Sequence, residues 1–168
     1  MRCYRFWYGG LVVLGLSFAV GAVNVALAQG VGSVPPRIVS TEGAPKAAGP
    51  YAQGVVAGGF LFTAGQTARD PGTGKLVEGD ITVQTNRVLD NLEAILKAAG
   101  CGLGDVVKAT VFLADLSDFE KMNEVYARRF GDTRPARSTV QVTLPGRSVI
   151  EVDFVARIPE PATGKKAR

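Results

Sequence analysis

The sequence predicts an α+β domain, a mixed sheet with two helices on one face. Three observations lead there. Short β-rich segments crowd the first third, two segments of helical apolar periodicity follow with a β-branched run between them, and the chain ends in strict alternation. At 168 residues, with 46% hydrophobic and 20% charged residues, the chain suits one domain with a full core plus a leader or tail.

The first segment reads as a leader. Arg2 and Arg5 precede an apolar run from Leu11 to Leu27, which ends in Ala26-Leu27-Ala28. That is the pattern of a signal peptide over residues 1–28 cleaved after Ala28, and it predicts a periplasmic or secreted protein that leaves the membrane behind. A retained membrane anchor is the alternative. Pro35-Pro36, Pro45 and Gly49-Pro50 mark an extended polar approach, with the lead-in over residues 29–39 and the domain over 40–158. Residues 159–168 read as a disordered basic tail.

Within the domain, Val55 to Ala57 and Phe60 to Ala64 flank Gly58-Gly59, the signal of a tight hairpin. Asp70-Pro71-Gly72-Thr73-Gly74 is a turn. Asp80 opens a helix in which Ile81, Val88, Leu89, Leu92, Ile95, Leu96 and Ala99 recur at helical spacing until Gly100 closes it. Asp105 to Leu113 is apolar and β-branched, as in a central strand. Ser117 and Glu120 form a capping-box pattern before a second helix with Phe119, Met122, Tyr126 and Phe130 on its apolar face, and Asn123 one position off that stripe.

The final stretch carries the chemistry. Arg137, Thr139, Gln141 and Thr143 alternate on one face of a first run, and Glu151 and Asp153 share a face of a second run beyond Pro145-Gly146. Paired as antiparallel neighbours, the runs would turn an arginine, a hydroxyl and a carboxylate out of one sheet surface. On alternation alone the same residues also fit a solvated cross-strand ion pair. The polar residues are too few to solvate a whole sheet face, so self-association is expected.

Composition excludes several classes. The chain has no histidine, so imidazole catalysis and histidine metal sites are unavailable. Cys101, between Gly100 and Gly102, is alone once Cys3 leaves with the leader, and reads as a small buried turn residue. Setting aside Arg2 and Arg5, 17 of the 19 basic residues remain against 15 acids, a net charge of +2. No basic helix with interleaved aromatics accompanies it, so nucleic acid is not an expected partner.

The segments Gly49-Pro50-Tyr51-Ala52-Gln53-Gly54, Phe62-Thr63-Ala64-Gly65-Gln66, Asp115-Leu116-Ser117-Asp118-Phe119, Pro135-Ala136-Arg137-Ser138 and Leu144-Pro145 followed by Ile150-Glu151-Val152 together resemble the RidA family of reactive intermediate deaminases. The resemblance implies a chorismate-mutase-like fold, a homotrimer with clefts between subunits, and hydrolysis of amino-acid-derived enamines and imines. It assigns Arg137 to the substrate carboxylate and Glu151 to the attacking water, with Tyr51, Asn123, Ala64 and Thr139 lining or supporting the cleft. Ala64 and Thr139 depart from the commonest family residues, serine and cysteine, and the spacing from Arg137 to Leu144 is one residue shorter than in the best-known members.

These residue types suffice for that reaction. A guanidinium can grip a carboxylate with two parallel charged hydrogen bonds, and an ionised Glu151 can take a proton from water as it attacks an imine carbon. Free imines already hydrolyse in water, so no cofactor or metal is expected; the small-molecule partner is an imino acid or its keto-acid product. The alternative from another class is a non-catalytic trimer, chaperone-like or a binder of small carboxylates, which would need the arginine but not the acid.

Overall fold

A computed structural model describes residues 35–160. The expected leader, the start of the lead-in and residues 161–168 lie outside that range. Among the described residues seven strands and two α-helices follow one another: β1 (Arg37–Val39), β2 (Gly54–Ala57), β3 (Phe60–Thr63), β4 (Gln66–Thr67), α1 (Ile81–Ala99), β5 (Val106–Leu113), α2 (Phe119–Phe130), β6 (Ala136–Gln141) and β7 (Ile150–Arg157). The strands form one sheet in the order β1-β2-β3-β7-β5-β6, with β4 also on β7. All neighbours are antiparallel except β5 and β6, which makes the sheet mixed.

Both expected helices form. Asp80 caps α1, its carboxylate accepting from the Val83 amide, and Gly100 closes it at φ 86°, a left-handed conformation that glycine adopts without a Cβ penalty. Leu89, Leu92, Ile95 and Leu96 are fully buried, each worth about 1.5–3 kcal/mol of hydrophobic transfer free energy. On α2, Met122, Val125, Tyr126 and Phe130 are buried, and the Phe130 ring meets Phe154 of β7 edge-on at 5.7 Å. Arg129 ties the helices together by bonding Asp90 at 2.8 Å and Glu93 at 2.6 Å. The Gly58-Gly59 hairpin and the Asp70 turn are present, and Cys101 is buried.

Three expectations need correction. The lead-in does not end outside the fold, because Arg37–Val39 already pairs with β2 as an edge strand. The capping box at Ser117 does not form: residues 116–118 make a single 3-10 turn, Asp115 accepts from the Ser117 amide, and α2 begins at Phe119. Asp115, two residues earlier, takes the Ser117 amide that Glu120 would accept in a capping box.

The two C-terminal runs are not neighbours, because β5 lies between them, parallel to β6 and antiparallel to β7. Cross-strand partners point to the same side of a sheet. Ala109 pairs with both Arg137 and Phe154, whereas Phe112 pairs with both Val140 and Glu151. Ala109 and Phe154 are buried on the side where the helices pack, so Arg137 and Thr139 lie on the helix side at the β6 edge. Glu151 and Asp153 point to the open side, with Ser138 and Val140.

Candidate active site

Around Arg137, sequence and packing build an anion-binding corner. Phe119, Asn123 and Tyr126 follow the i, i+4, i+7 spacing of one helix face, which α2 turns toward β6. The Asn123 side-chain oxygen accepts from the guanidinium at 2.6 Å. The guanidinium carbon lies 4.7 Å from the centre of the Tyr126 ring and 5.7 Å from that of Phe119. Burial pushes the Tyr126 phenol up to about 12, with the Arg137 charge opposing the shift, so the ring stays neutral near pH 7. Among the described residues Arg137 has no carboxylate partner. Its charge is oriented by an amide and two rings, none of which neutralises it. Asn123, Tyr126 and Arg137 share the wall of a cavity of about 410 Å³ with Pro135.

Glu151 belongs to a second cavity, of about 500 Å³, which Tyr51, Ala64, Gly65, Pro145, Lys46 and Arg69 also line. Its seat comes from a break in the sheet edge. Phe62 pairs with Val155 and Thr67 with Glu151, so the chain uses one residue more than β7 between these pairings and bulges at Ala64-Gly65. The Ala64 amide turns to the Gln53 carbonyl at 2.9 Å, and Thr63 Oγ1 accepts the Phe154 amide at 2.9 Å. A Cβ on Gly65 would stand 2.1 Å from a Glu151 carboxylate oxygen. The carboxylate therefore folds over a position where any side chain would displace it.

Burial raises the Glu151 carboxyl above its ordinary value, and the neighbouring Asp153 charge adds to the shift. Asp153 is raised too, first by burial, with a hydrogen bond from Thr110 and the Lys108 charge opposing. Lys108 bonds the Ala109 carbonyl at 2.7 Å and Ser138 at 3.2 Å on the open side. Tyr51 is exposed, and its hydroxyl accepts the Ala48 amide at 3.1 Å. Gln53 is buried and bonds the backbone of Thr41, Ala44 and Pro45, which holds the Tyr51 segment against the cavity.

The six candidate residues thus divide between two places. Tyr51, Ala64 and Glu151 meet in one cavity, whereas Arg137 and Asn123 meet in the other, with Thr139 half-buried further along the Arg137 face of β6. Sequence reasoning missed Gly65 and the role of Tyr126 beneath Arg137. Tyr126 had a signal, three residues after Asn123 on a helix, but the same position also fitted the core stripe.

The family described as Endoribonuclease L-PSP matches residues 41–158. The chain belongs to this L-PSP/RidA family. A RutC family protein of Pyrococcus horikoshii is 54% identical over 121 residues, covering 71% of this chain and 96% of that one. The human 2-iminobutanoate/2-iminopropanoate deaminase is 45% identical, covering 71% and 88%. The crystal structure of Escherichia coli TdcF with bound serine superposes with a TM-score of 0.69 at 42% identity, covering 72% and 98%. The α+β fold with one mixed sheet and two helices on one face is that of L-PSP/RidA structures.

Proposed function

We propose that the protein hydrolyses reactive 2-imino and 2-enamino acids to 2-keto acids and ammonia, in clefts between the subunits of a homotrimer. The observation that carries this reading is the division of the site. Arg137 has the geometry to bind a carboxylate and Glu151 the position to activate water, yet the sheet separates them within one chain. A second copy resolves the conflict when its Glu151 cavity faces the Arg137 corner of the first. The open side supports such assembly, since Ile38, Phe62 and Val140 are 71%, 47% and 44% exposed. Apolar groups of this kind on one sheet face gain from burial against another chain. The human relative's deaminase activity fits the same chemistry.

In this reading the Arg137 fork takes the carboxylate of the imino acid in two charged hydrogen bonds and sets the C2 carbon toward Glu151. Glu151 takes a proton from water while the oxygen bonds to C2 and the C=N π electrons move to nitrogen, which is protonated. The carbinolamine then collapses: its hydroxyl proton leaves, a carbonyl forms, and ammonia departs after the nitrogen gains a further proton. The keto acid keeps the carboxylate. A raised carboxyl pKa suits this cycle, because the group must both accept and return protons near neutral pH. Tyr51 and Thr139 complete the cleft walls. The leader reading makes this an exported enzyme, and an amino terminus at Gln29 in protein recovered from the cell envelope tests it.

The test of the reaction uses an amino-acid oxidase with 2-aminobutyrate, and semicarbazide to trap the free imine. The protein is expected to suppress semicarbazone formation and speed keto-acid release. Unchanged trapping would contradict the proposal.

A further inference from the structure

The Glu151 cavity holds more positive charge than hydrolysis of a monocarboxylic imine requires. Lys46 and Arg69 both line it, and neither forms an ion pair among the described residues. Arg69 is fixed in place. The side-chain amide of Asn91, a fully buried residue on α1, donates to the Arg69 carbonyl at 2.8 Å and the Thr67 carbonyl at 3.3 Å, and Arg69 bridges to Leu76 across the Asp70 turn. One guanidinium nitrogen bonds the Gly74 carbonyl at 2.9 Å, and among the described residues the other donors of the fork have no partner.

Position along the strand gives this charge a geometric meaning. Thr67 is the register partner of Glu151, so both side chains point to the open side. Arg69 follows two residues later, after a tight turn in which its amide donates to the Thr67 carbonyl at 2.8 Å, and it lines the same cavity as Glu151. Arg69 and Pro145 also border a neighbouring cavity of about 590 Å³, whose wall adds Arg147 and the opposite charge of Glu78, so the excess of positive charge is confined to the Glu151 cavity. The small residues Ala64 and Gly65 leave the space beside Glu151 open.

We infer that the preferred substrates are imines of dicarboxylic amino acids, with Arg69 binding the distal carboxylate while the α-carboxylate lies on Arg137. This rests on the imine-hydrolysis reading of the same cavity and specifies its substrate class. For 2-iminoglutarate the balanced reaction adds one water and releases 2-oxoglutarate and ammonia. Lys46, exposed like Arg69 but without a fixing hydrogen bond among the described residues, adds attraction and little orientation.

The test compares 2-iminoglutarate with 2-iminobutanoate, each generated by an amino-acid oxidase, in the full chain and in Arg69→Gln and Arg69→Lys. The native protein should favour 2-iminoglutarate by about 10-fold or more in kcat/KM, the scale of one charged hydrogen-bonded pair. Arg69→Gln should collapse that ratio toward one, and Arg69→Lys should restore part of it. A native ratio near one, or a ratio that Arg69→Gln leaves unchanged, overturns the inference even where 2-iminobutanoate turns over well. Calorimetric binding of 2-oxoglutarate against 2-oxobutanoate reads the same preference without turnover. If neither imine is hydrolysed yet 2-oxoglutarate binds more tightly and loses that advantage in Arg69→Gln, the Arg69 assignment stands and the hydrolase reading falls.

Discussion

Arg137, stacked on Tyr126, and Glu151, folded over Gly65, project from opposite faces of one sheet. The register leaves no other arrangement, because β5 aligns Arg137 with buried Ala109 and Glu151 with Phe112, one face apart. A molecule held by the guanidinium cannot reach the carboxylate of the same chain through the sheet backbone.

Removing the guanidinium should cost activity far more than stability. Arg137→Ala is expected to abolish measurable imine hydrolysis. It should lower stability by only about 1 kcal/mol, through loss of the Asn123 bond and the stacking on Tyr126. Thermal unfolding beside a keto-acid assay checks this; retained turnover with a drop of several kcal/mol would make Arg137 a structural residue.

Asn123→Asp separates orientation from charge. The substitution keeps an acceptor for the guanidinium but places a carboxylate where the substrate's should lie. Binding of pyruvate should weaken by about 10-fold or more although the Arg137 contact strengthens. Asn123→Ala should be milder, since it loosens the fork without neutralising it. Calorimetry on both variants distinguishes the two effects.

The carboxyl of Glu151 predicts opposite effects of pH on activity and stability. Hydrolysis needs the ionised form, so the rate should fall as pH drops through the raised value, above the ordinary 4.5. The folded chain binds this proton more tightly than the unfolded chain does. Its contribution to stability is therefore fully present below the ordinary value and lost as pH rises through the raised one. Glu151→Gln should raise the melting temperature relative to the native chain at pH 7 but not near pH 4 (about the unfolded glutamate range), while turnover is lost.

Gly65→Ala tests the seat of the acid. The added Cβ would meet the carboxylate at 2.1 Å, and the side chain must swing away. Turnover should fall by about 100-fold, the scale of a displaced general base. Melting should change little, because Gly65 is exposed and its backbone is not left-handed.

Phe62→Asp addresses assembly. Phe62 stands on the open side, 47% exposed and paired in register with Val155. A charge there should leave the fold intact while light scattering reports a monomer and hydrolysis disappears. An active monomer would remove the inter-subunit cleft.

Much of the fold was legible because apolar periodicity and caps act locally. Asp80, Gly100 and the Leu89–Leu96 stripe fix α1 with no knowledge of its neighbours. Strand order is another matter. Two alternating runs around Pro145-Gly146 carry the same local signal whether they pair together or each pair with a third strand, and the choice depends on long-range packing of β5. That choice decided which face Arg137 takes. The motifs had already grouped the six residues by family resemblance; the division of the site between two faces came only from the register.

The most direct test mixes two inactive proteins. Arg137→Ala subunits retain Glu151, and Glu151→Gln subunits retain Arg137, so in the proposed trimer neither variant alone would hold a complete cleft. Unfolded together in equal amounts and refolded, they should form mixed trimers in which about one cleft in four draws an intact Arg137 from one subunit and an intact Glu151 from the next, with hydrolysis returning to about a quarter of the native rate. Mixed trimers that form, as judged by differently tagged subunits purifying together, yet show no recovered hydrolysis would contradict a site shared between subunits.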